Sequence, residues 1–490
     1  MTVCVEKSVS PSVPDPAAIM TAGGDGRILL DPATGLNRYH SAPRPTDLLA
    51  YASSTANDIS PQAYAHVASR LAALGPEPSA AVYEAGLEAL RGRIRRAYRL
   101  PATTDIVFAP SGTDLEYVAL ACVAGLSPGG THNILLGADE VGSGCIHSAR
   151  GRYFAETTAL GHATQPGQPV PGLDGALVDL ADIPVRDGEG RVRRSAEIAA
   201  GMKEAIAAGG AVRRHTLVHV VHGSKTGLIL PALADIDALL RAHGNDITVV
   251  VDACQARITP AAIADYLDRG AIVFVTGSKF MGGPPFSGFA LVPAKVAARA
   301  RPLPEGLATI FLRAEWPRAW PGTERLPDGA NIGLLMRLEA SIFELERFHG
   351  IDPRAVERII LAFHAAVRAE IVDKTPAHRL APYPPGDRDE ADTHPIEMRT
   401  LSTLDLSEFG DGATFEDAQG WHKALLGHRV RLGQPVKCVK LPDERWGATL
   451  RIGLAMWQIA DLAGLSGEAV ATALRDDMAR IRAALLAVSR

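Results

Sequence analysis

Cysteine is scarce in this chain of 490 residues: Cys4, Cys122, Cys145, Cys254 and Cys438 are all there are, far apart and never in CxxC spacing. A scattered, odd-numbered set argues against both a disulfide framework and a thiolate zinc site. The histidines show neither HExxH nor any other paired spacing, so no metal is expected. Long hydrophobic runs are missing as well. No 18 uninterrupted apolar residues occur, and the first 24 positions lack a basic segment followed by an apolar one. That predicts neither a membrane span nor secretion, and with the cysteine usage it makes a reducing cytoplasm the expected compartment. Charge of one sign is not in excess: 50 Lys and Arg stand against 55 Asp and Glu, and the basic residues are dispersed. Nucleic acid and anionic membrane surfaces are therefore not expected partners, which leaves small-molecule chemistry.

What is present is an apolar content of 47% over a length too great for one small core, which suits a large domain with a smaller one attached. Residues 1–22 read as a mobile tail, since Pro11, Pro14 and Pro16 interrupt any helix and few apolar groups could anchor it. Helical periodicity begins near Ala63, and from there β-branched runs alternate with helices. Strands are predicted at 105–109, 133–136, 216–221, 247–251, 271–275 and 288–292, most of them continuous apolar runs of the kind covered on both faces. Helices between them, at 113–124, 195–208, 232–243 and 260–269, make this an α/β pattern with a mainly parallel sheet, whose ligands sit beyond the strands' carboxyl ends. Helical segments at 331–349 and 353–370 lead out of a large domain spanning 23–350. In the smaller α+β unit, 351–490, a Pro-, Asp- and Gly-rich loop at 381–394 precedes strands at 396–401, 430–440 and 448–454 and helices at 415–426 and 467–488.

Three segments carry chemistry. Val249-Val250-Val251-Asp252-Ala253-Cys254-Gln255 puts a carboxylate where a strand meets the crevice. Alone it is ordinary, because strand-end Asp residues also cap turns. Val275-Thr276-Gly277-Ser278-Lys279 puts an amine at the end of the next strand. As a pair, the two can grip an aromatic cofactor from opposite sides, the acid on a pyridine nitrogen and the amine on an aldehyde. Upstream, Ser111-Gly112-Thr113 joins a strand to a helix, a place where backbone N–H groups and a hydroxyl suit a phosphate, although a plain N-cap reads the same way.

Together, from about Ser111 to Thr323, these segments resemble the aminotransferase class V branch of fold type I pyridoxal-phosphate enzymes, which includes cysteine desulfurases and related lyases. The resemblance implies a mainly parallel seven-stranded large domain and pyridoxal 5'-phosphate held on Lys279 as a Schiff base. It further implies Asp252 on the ring nitrogen, Gln255 on the phenolic oxygen, and Gly112, Thr113, Thr276 and Ser278 on the phosphate, with Ser111 beside them. Trp320-Pro321-Gly322-Thr323-Glu324 is similar to a Gly-Thr turn that reaches the neighbouring subunit's phosphate, which would make the protein a homodimer with shared active sites; an ordinary loop is the other reading of Gly322 and Thr323. Thr449-Leu450-Arg451-Ile452-Gly453 resembles the strand whose Arg clamps a substrate α-carboxylate, against a surface ion pair as the alternative.

Departures from the pattern are equally informative. Where the family stacks a His or aromatic on the pyridine ring, residues 137–144 offer none; Val141 aligns best and His147 is the other option. Ser224 and Lys225 occupy the place of a substrate-side loop, and Gly223-Ser224-Lys225-Thr226 lacks the upstream Gly of a phosphate-binding P-loop. No cysteine falls between Lys279 and Cys438, which disfavours persulfide chemistry. Arg38, Tyr39, His40 and 53–55 are expected at the entrance, because the family's amino-terminal segment folds over the site. The implied activity is a transferase or lyase acting on an amino acid through a Cα carbanion, either transamination or side-chain elimination or replacement. One alternative is γ-replacement with carbon–carbon bond formation on an S-adenosylmethionine-like substrate with a nicotinamide nucleotide, in secondary metabolism. Another is a non-catalytic binding protein of the same fold.

Overall fold

The computed structural model describes residues 15–75, 77–138, 140–142, 144–173, 177–384, 386–410 and 412–489; Cys4, Pro11 and Pro14 lie outside them. Thirteen strands are formed in chain order: β1 Leu49–Tyr51, β2 Asp105–Ala109, β3 Thr131–Leu136, β4 Val178–Ile183, β5 His215–His222, β6 Ile229–Leu230, β7 Ile247–Asp252, β8 Ile272–Thr276, β9 Gly288–Val292, β10 His378–Arg379, β11 Leu401–Asp405, β12 Val430–Leu432 and β13 Thr449–Gly453. The main sheet runs β2-β9-β8-β7-β5-β3-β4, with β6 folded back on β5. Only β9 in that path runs antiparallel to its neighbours β2 and β8. The links β8-β7-β5-β3-β4 are all parallel.

Continuous apolar runs produce this arrangement because every residue of β3, β5, β8 and β9 is buried. Helices on both faces must cover such strands, and the Leu115–Val123 helix, buried at all nine positions, lies deep in the molecule. The edge strand β4 escapes a search for apolar runs because it is half-exposed and carries Asp179 and Asp182. Chain order reverses beside β3, which is followed by β4 on one side and β5 on the other. A crevice opens at such a reversal, beyond the strands' carboxyl ends.

The second sheet, β10-β11-β13, is antiparallel and lies wholly within 378–453. Its elements depart from the sequence reading in two places. The strand expected at 396–401 begins instead at Leu401, after a 3₁₀ turn at Ile396–Met398, and the one expected at 430–440 stops at Leu432, ahead of Gly433. Amino-terminal β1 pairs in parallel with β12, so the described amino-terminal segment straps across to the carboxyl-terminal unit at Leu49–Tyr51.

Residues 15–22 of the expected tail are ordered. Pro16 opens a helix, Pro16–Met20, at a position where its missing N–H costs nothing, and Asp15 accepts from Ala17 N at 3.0 Å. The buried Arg337 then ties this segment down, donating to the carbonyls of Met20, Ala22 and Gly23 at 2.9, 2.6 and 2.8 Å. Within the loop at 381–394, Tyr383 is buried and its hydroxyl accepts from Ile229 N at 2.9 Å, which anchors the stretch to β6. No helix among the described residues is long and apolar enough to cross a membrane.

Candidate active site

Strands β7 and β8 are neighbours in register, Asp252 opposite Phe274, so their last residues emerge side by side. The chain is apolar from Val249 to Val251, and Asp252 follows as the last residue of the strand. Its Oδ1 accepts from Cys254 N at 2.9 Å, a local turn that fixes the carboxylate's direction. Thr276 ends β8 with its hydroxyl donating to Cys254 O at 2.5 Å, and Ser278 and Lys279 follow. Asp252, Thr276, Ser278 and Lys279 line one cavity of about 180 Å³ with Gly112 and Thr113. A single water needs roughly 10–15 Å³ on that measure, so the space suits a molecule of many atoms.

Gly112 is where it is for a steric reason. A Cβ there would stand 2.9 Å from Thr276 Cγ2 and 3.5 Å from Cys254 Sγ. Only glycine lets the turn before the Leu115–Val123 helix lie against the end of β8, a place where backbone N–H groups suit an anion. Behind this turn Ser111 donates to Asp114 Oδ2 at 2.6 Å, and burial pushes the Asp114 carboxyl up to about 7. Deeper still, burial drives the Glu116 carboxyl well above its ordinary range, with the charge of Asp252 adding to the effect. His219 is pushed down to about 4 by burial. Glu116 Oε2 and His219 Nε2 lie 3.4 Å apart, and burial disfavours the charged form of each.

The loops following β3 and β5 meet at Glu140. Its buried carboxylate accepts from Arg186 Nη2 at 2.7 Å, Ser224 Oγ at 2.7 Å, Thr226 N at 3.2 Å and Thr226 Oγ1 at 3.0 Å. Burial opposes its ionisation, but Arg186 and Ser224 outweigh that and hold it below the usual carboxylate range. Positive φ angles at Gly223 (71°) and Gly227 (89°) turn the β5–β6 loop back so that Ser224 and Lys225 face the cavity. Burial depresses the Lys225 amine, and Glu140 resists that shift.

Arg451, on β13, closes the far side. It is 2% exposed and donates to Gln434 O (2.9 Å), Lys225 O (3.0 Å), Ser54 O (3.3 Å) and Thr55 Oγ1 (3.1 Å). Burial pushes it down to about 10, and no carboxylate among the described residues is within ion-pair distance, so the surface ion pair is not what this arginine makes. A buried guanidinium held only by neutral acceptors is ready to take an anion. Arg257 stands behind it, donating to Gln255 Oε1 at 2.7 Å, Ser53 Oγ at 2.8 Å and Thr400 Oγ1 at 2.8 Å. Gln255, which also lines the cavity, donates to Ser54 O at 3.1 Å.

Most of the residues singled out from sequence converge here, Val141, Tyr39, Ser54 and Thr55 included. Others do not. His147 is exposed and lies outside the lining, because the Cys145–Ala149 helix turns that side chain outward; Arg38 is exposed as well, its guanidinium resting over the Tyr39 ring. Ser111 lies just behind the lining. Gly322 and Thr323 are remote from this cavity within the chain, and the buried Thr323 hydroxyl donates to Trp320 O at 2.9 Å. Asp139 and Ser143, in the loop expected to face the ring, lie outside the described residues. Cys145 and Cys254 line the cavity, but burial holds both thiols well above their ordinary range. Sequence reasoning missed Arg27, Glu140, Phe286 and Gln434, all in the lining. Their positions depend on long-range folding that no local pattern announces.

No protein-family model and no curated protein matches the sequence. The likeness is in the structure. Ureidoglycine-glyoxylate aminotransferase from Bacillus subtilis superposes with a TM-score of 0.53 over 91% of this chain and 93% of its own, at 12% identity. A cysteine desulfurase from Escherichia coli gives 0.52 over 88% and 94% at 16% identity. Alanine–glyoxylate aminotransferase from Nostoc sp. gives 0.51 over 91% and 96% at 14% identity. The chain therefore has the α/β fold of the fold type I, class V aminotransferase-like enzymes.

Proposed function

We propose that the protein is a pyridoxal-phosphate-dependent enzyme that transforms an amino acid, with Lys279 as the residue that carries the cofactor. One observation carries this reading: an amine and a carboxylate from adjacent strand ends share a cavity with a glycine-built anion turn, and a buried arginine without an acidic partner faces them. The residues fit the group. Gly112, Thr113, Thr276 and Ser278 would hold its phosphate, Asp252 its ring nitrogen, Gln255 its phenolic oxygen and Lys279 its aldehyde. Bound there, the cofactor supplies an electron sink for the substrate's α-carbon. Lys279 would be the group placed to move the Cα proton. Arg451 binds the substrate carboxylate, and its planar fork fixes that group's orientation. Tyr39, Ser54 and Thr55, from the strapping amino-terminal segment, narrow the entrance and limit water.

A second amine favours side-chain chemistry within this class. Proton transfer at Cα needs one base, elimination or replacement at the β- or γ-carbon moves further protons that a second carrier can serve, and Lys225 offers an amine of depressed pKa in the same cavity. γ-Replacement on an S-adenosylmethionine-like substrate falls within that second reading. A non-catalytic role is disfavoured by the completeness of the constellation.

The reading is tested by the absorbance of the protein loaded with pyridoxal phosphate and by borohydride reduction. A yellow protein whose label is fixed on the peptide containing Lys279, and is lost in Lys279→Ala, is the expected result. Label on another residue, or none, would refute it. Product analysis with candidate amino acids then separates a keto acid from an eliminated or replaced side chain.

A further inference from the structure

We infer that Arg27 is a phosphate ligand supplied by the chain's own amino-terminal segment, in the place where the resemblance assigned a turn of the partner subunit. The inference rests on the pyridoxal-phosphate reading and adds a residue to it. Arg27 sits in a 3₁₀ turn, Gly26–Ile28, capped by Asp25, whose Oδ1 accepts from Arg27 N at 3.0 Å. The same carboxylate takes the guanidinium in a fork, Nε to Oδ1 and Nη2 to Oδ2, both at 2.8 Å. Flanking rings hold the planar group on both sides, Phe154 at 4.7 Å and Phe286 at 4.6 Å from its carbon. An arginine so fixed has already lost the rotamer freedom that binding would otherwise cost.

Its free edge points at the anion turn. Arg27 Nη1 donates to Thr113 Oγ1 at 3.1 Å and Nη2 to Ser111 Oγ at 3.2 Å, and the residue lines the cavity with Gly112 and Thr113. With its oxygen accepting from Arg27, the Thr113 hydroxyl keeps its own hydrogen to donate into the cavity. A pair serving structure alone would be complete in the Asp25–Arg27 fork and would need no reach to the turn. Thr323, the residue the resemblance would send to the neighbouring subunit's phosphate, gives its hydroxyl to Trp320 O at 2.9 Å within its own chain.

The test compares pyridoxal phosphate with pyridoxal, which shares the ring and aldehyde but lacks the phosphate. Cofactor-free wild type, Arg27→Met and Thr323→Val are titrated with each and followed by absorbance and tryptophan fluorescence. In Arg27→Met the affinity for pyridoxal phosphate should fall by about tenfold or more while that for pyridoxal is unchanged, as expected for the loss of a charge-assisted contact. Because Arg27→Met leaves Asp25 buried and alone, the paired Asp25→Asn/Arg27→Met protein is titrated alongside it, and pyridoxal binding reports that its site is intact. An unchanged preference for the phosphate form in the paired variant, or a larger loss in Thr323→Val, overturns the role of Arg27. Failure of wild type to form a borohydride-reducible adduct at Lys279 with either compound would instead refute the cofactor reading itself.

Discussion

Replacing Glu140 by Gln removes one negative charge from a place where five hydrogen-bond donors and a second cation converge. The carboxylate receives Arg186, Ser224 and two donors of Thr226 within 2.7–3.2 Å. An amide keeps one oxygen and points an NH₂ group at donors, so at least one of these bonds becomes a donor–donor clash. Arg186 retains Gly190 O at 3.1 Å and Thr226 Oγ1 at 2.9 Å but loses the charge of its Glu140 partner at a place where its side chain is only 9% exposed. Breaking one side of a buried pair costs roughly 3–5 kcal/mol. Partial retention of the network places Glu140→Gln at the lower end, about 3 kcal/mol. The variant should unfold at a lower temperature and lower urea concentration than wild type. The sign with pH follows from Glu140 lying below its ordinary value in the folded protein. Its contribution is present above the unfolded carboxylate range and is lost as pH falls through the folded pKa, so the gap between the two proteins should narrow on acidification. A second readout is chemical: with Glu140 no longer opposing its depression, the Lys225 amine should be acylated faster at fixed mildly alkaline pH, measured peptide by peptide by mass spectrometry. Equal stability together with unchanged Lys225 reactivity would refute the account of Glu140 as the post on which the β5–β6 loop is hung.

Gly112→Ala forces a methyl to within 2.9 Å of Thr276 Cγ2, so the anion turn must back away; pyridoxal-phosphate affinity measured by absorbance should drop while the melting temperature moves little. Arg451→Lys should raise the KM for the amino acid at least tenfold, because one ammonium cannot reproduce the fork, with the cofactor spectrum unaltered. Burial raises the Asp114 carboxyl to about 7 in the folded protein, so stability declines as pH rises from the ordinary carboxylate range to about 7; Asp114→Asn should flatten the decline of urea stability between about pH 4 and 7. The homodimer implied by the class V likeness is checked by sedimentation, where a mass near twice 51.7 kDa is expected.

Much of the site was legible because its chemistry lies at the ends of apolar strands. A run such as Ile247–Val251 has one stable solution, a strand covered on both faces, and the next polar residue must then be at the crevice. The same logic located Thr276 to Lys279 at the end of β8 and the Gly112–Thr113 turn after β2. Where periodicity was weak, the reading slipped. Edge strand β4 has no continuous apolar run, and the helix at Pro16–Met20 owes its order to Arg337, more than 300 residues away.

What the sequence determined alone is the set of strand-end groups, since burial of apolar runs is a local necessity that exposes their polar successors. Which partners those groups meet was decided by tertiary structure. Arg27, Glu140 and Arg451 come from the amino-terminal strap, the β3 loop and the second sheet, and they reach one cavity only through strand order and the β1–β12 pairing. Contacts between residues hundreds of positions apart leave no periodic trace, because each is selected by the packing of the whole chain rather than by its neighbours in sequence.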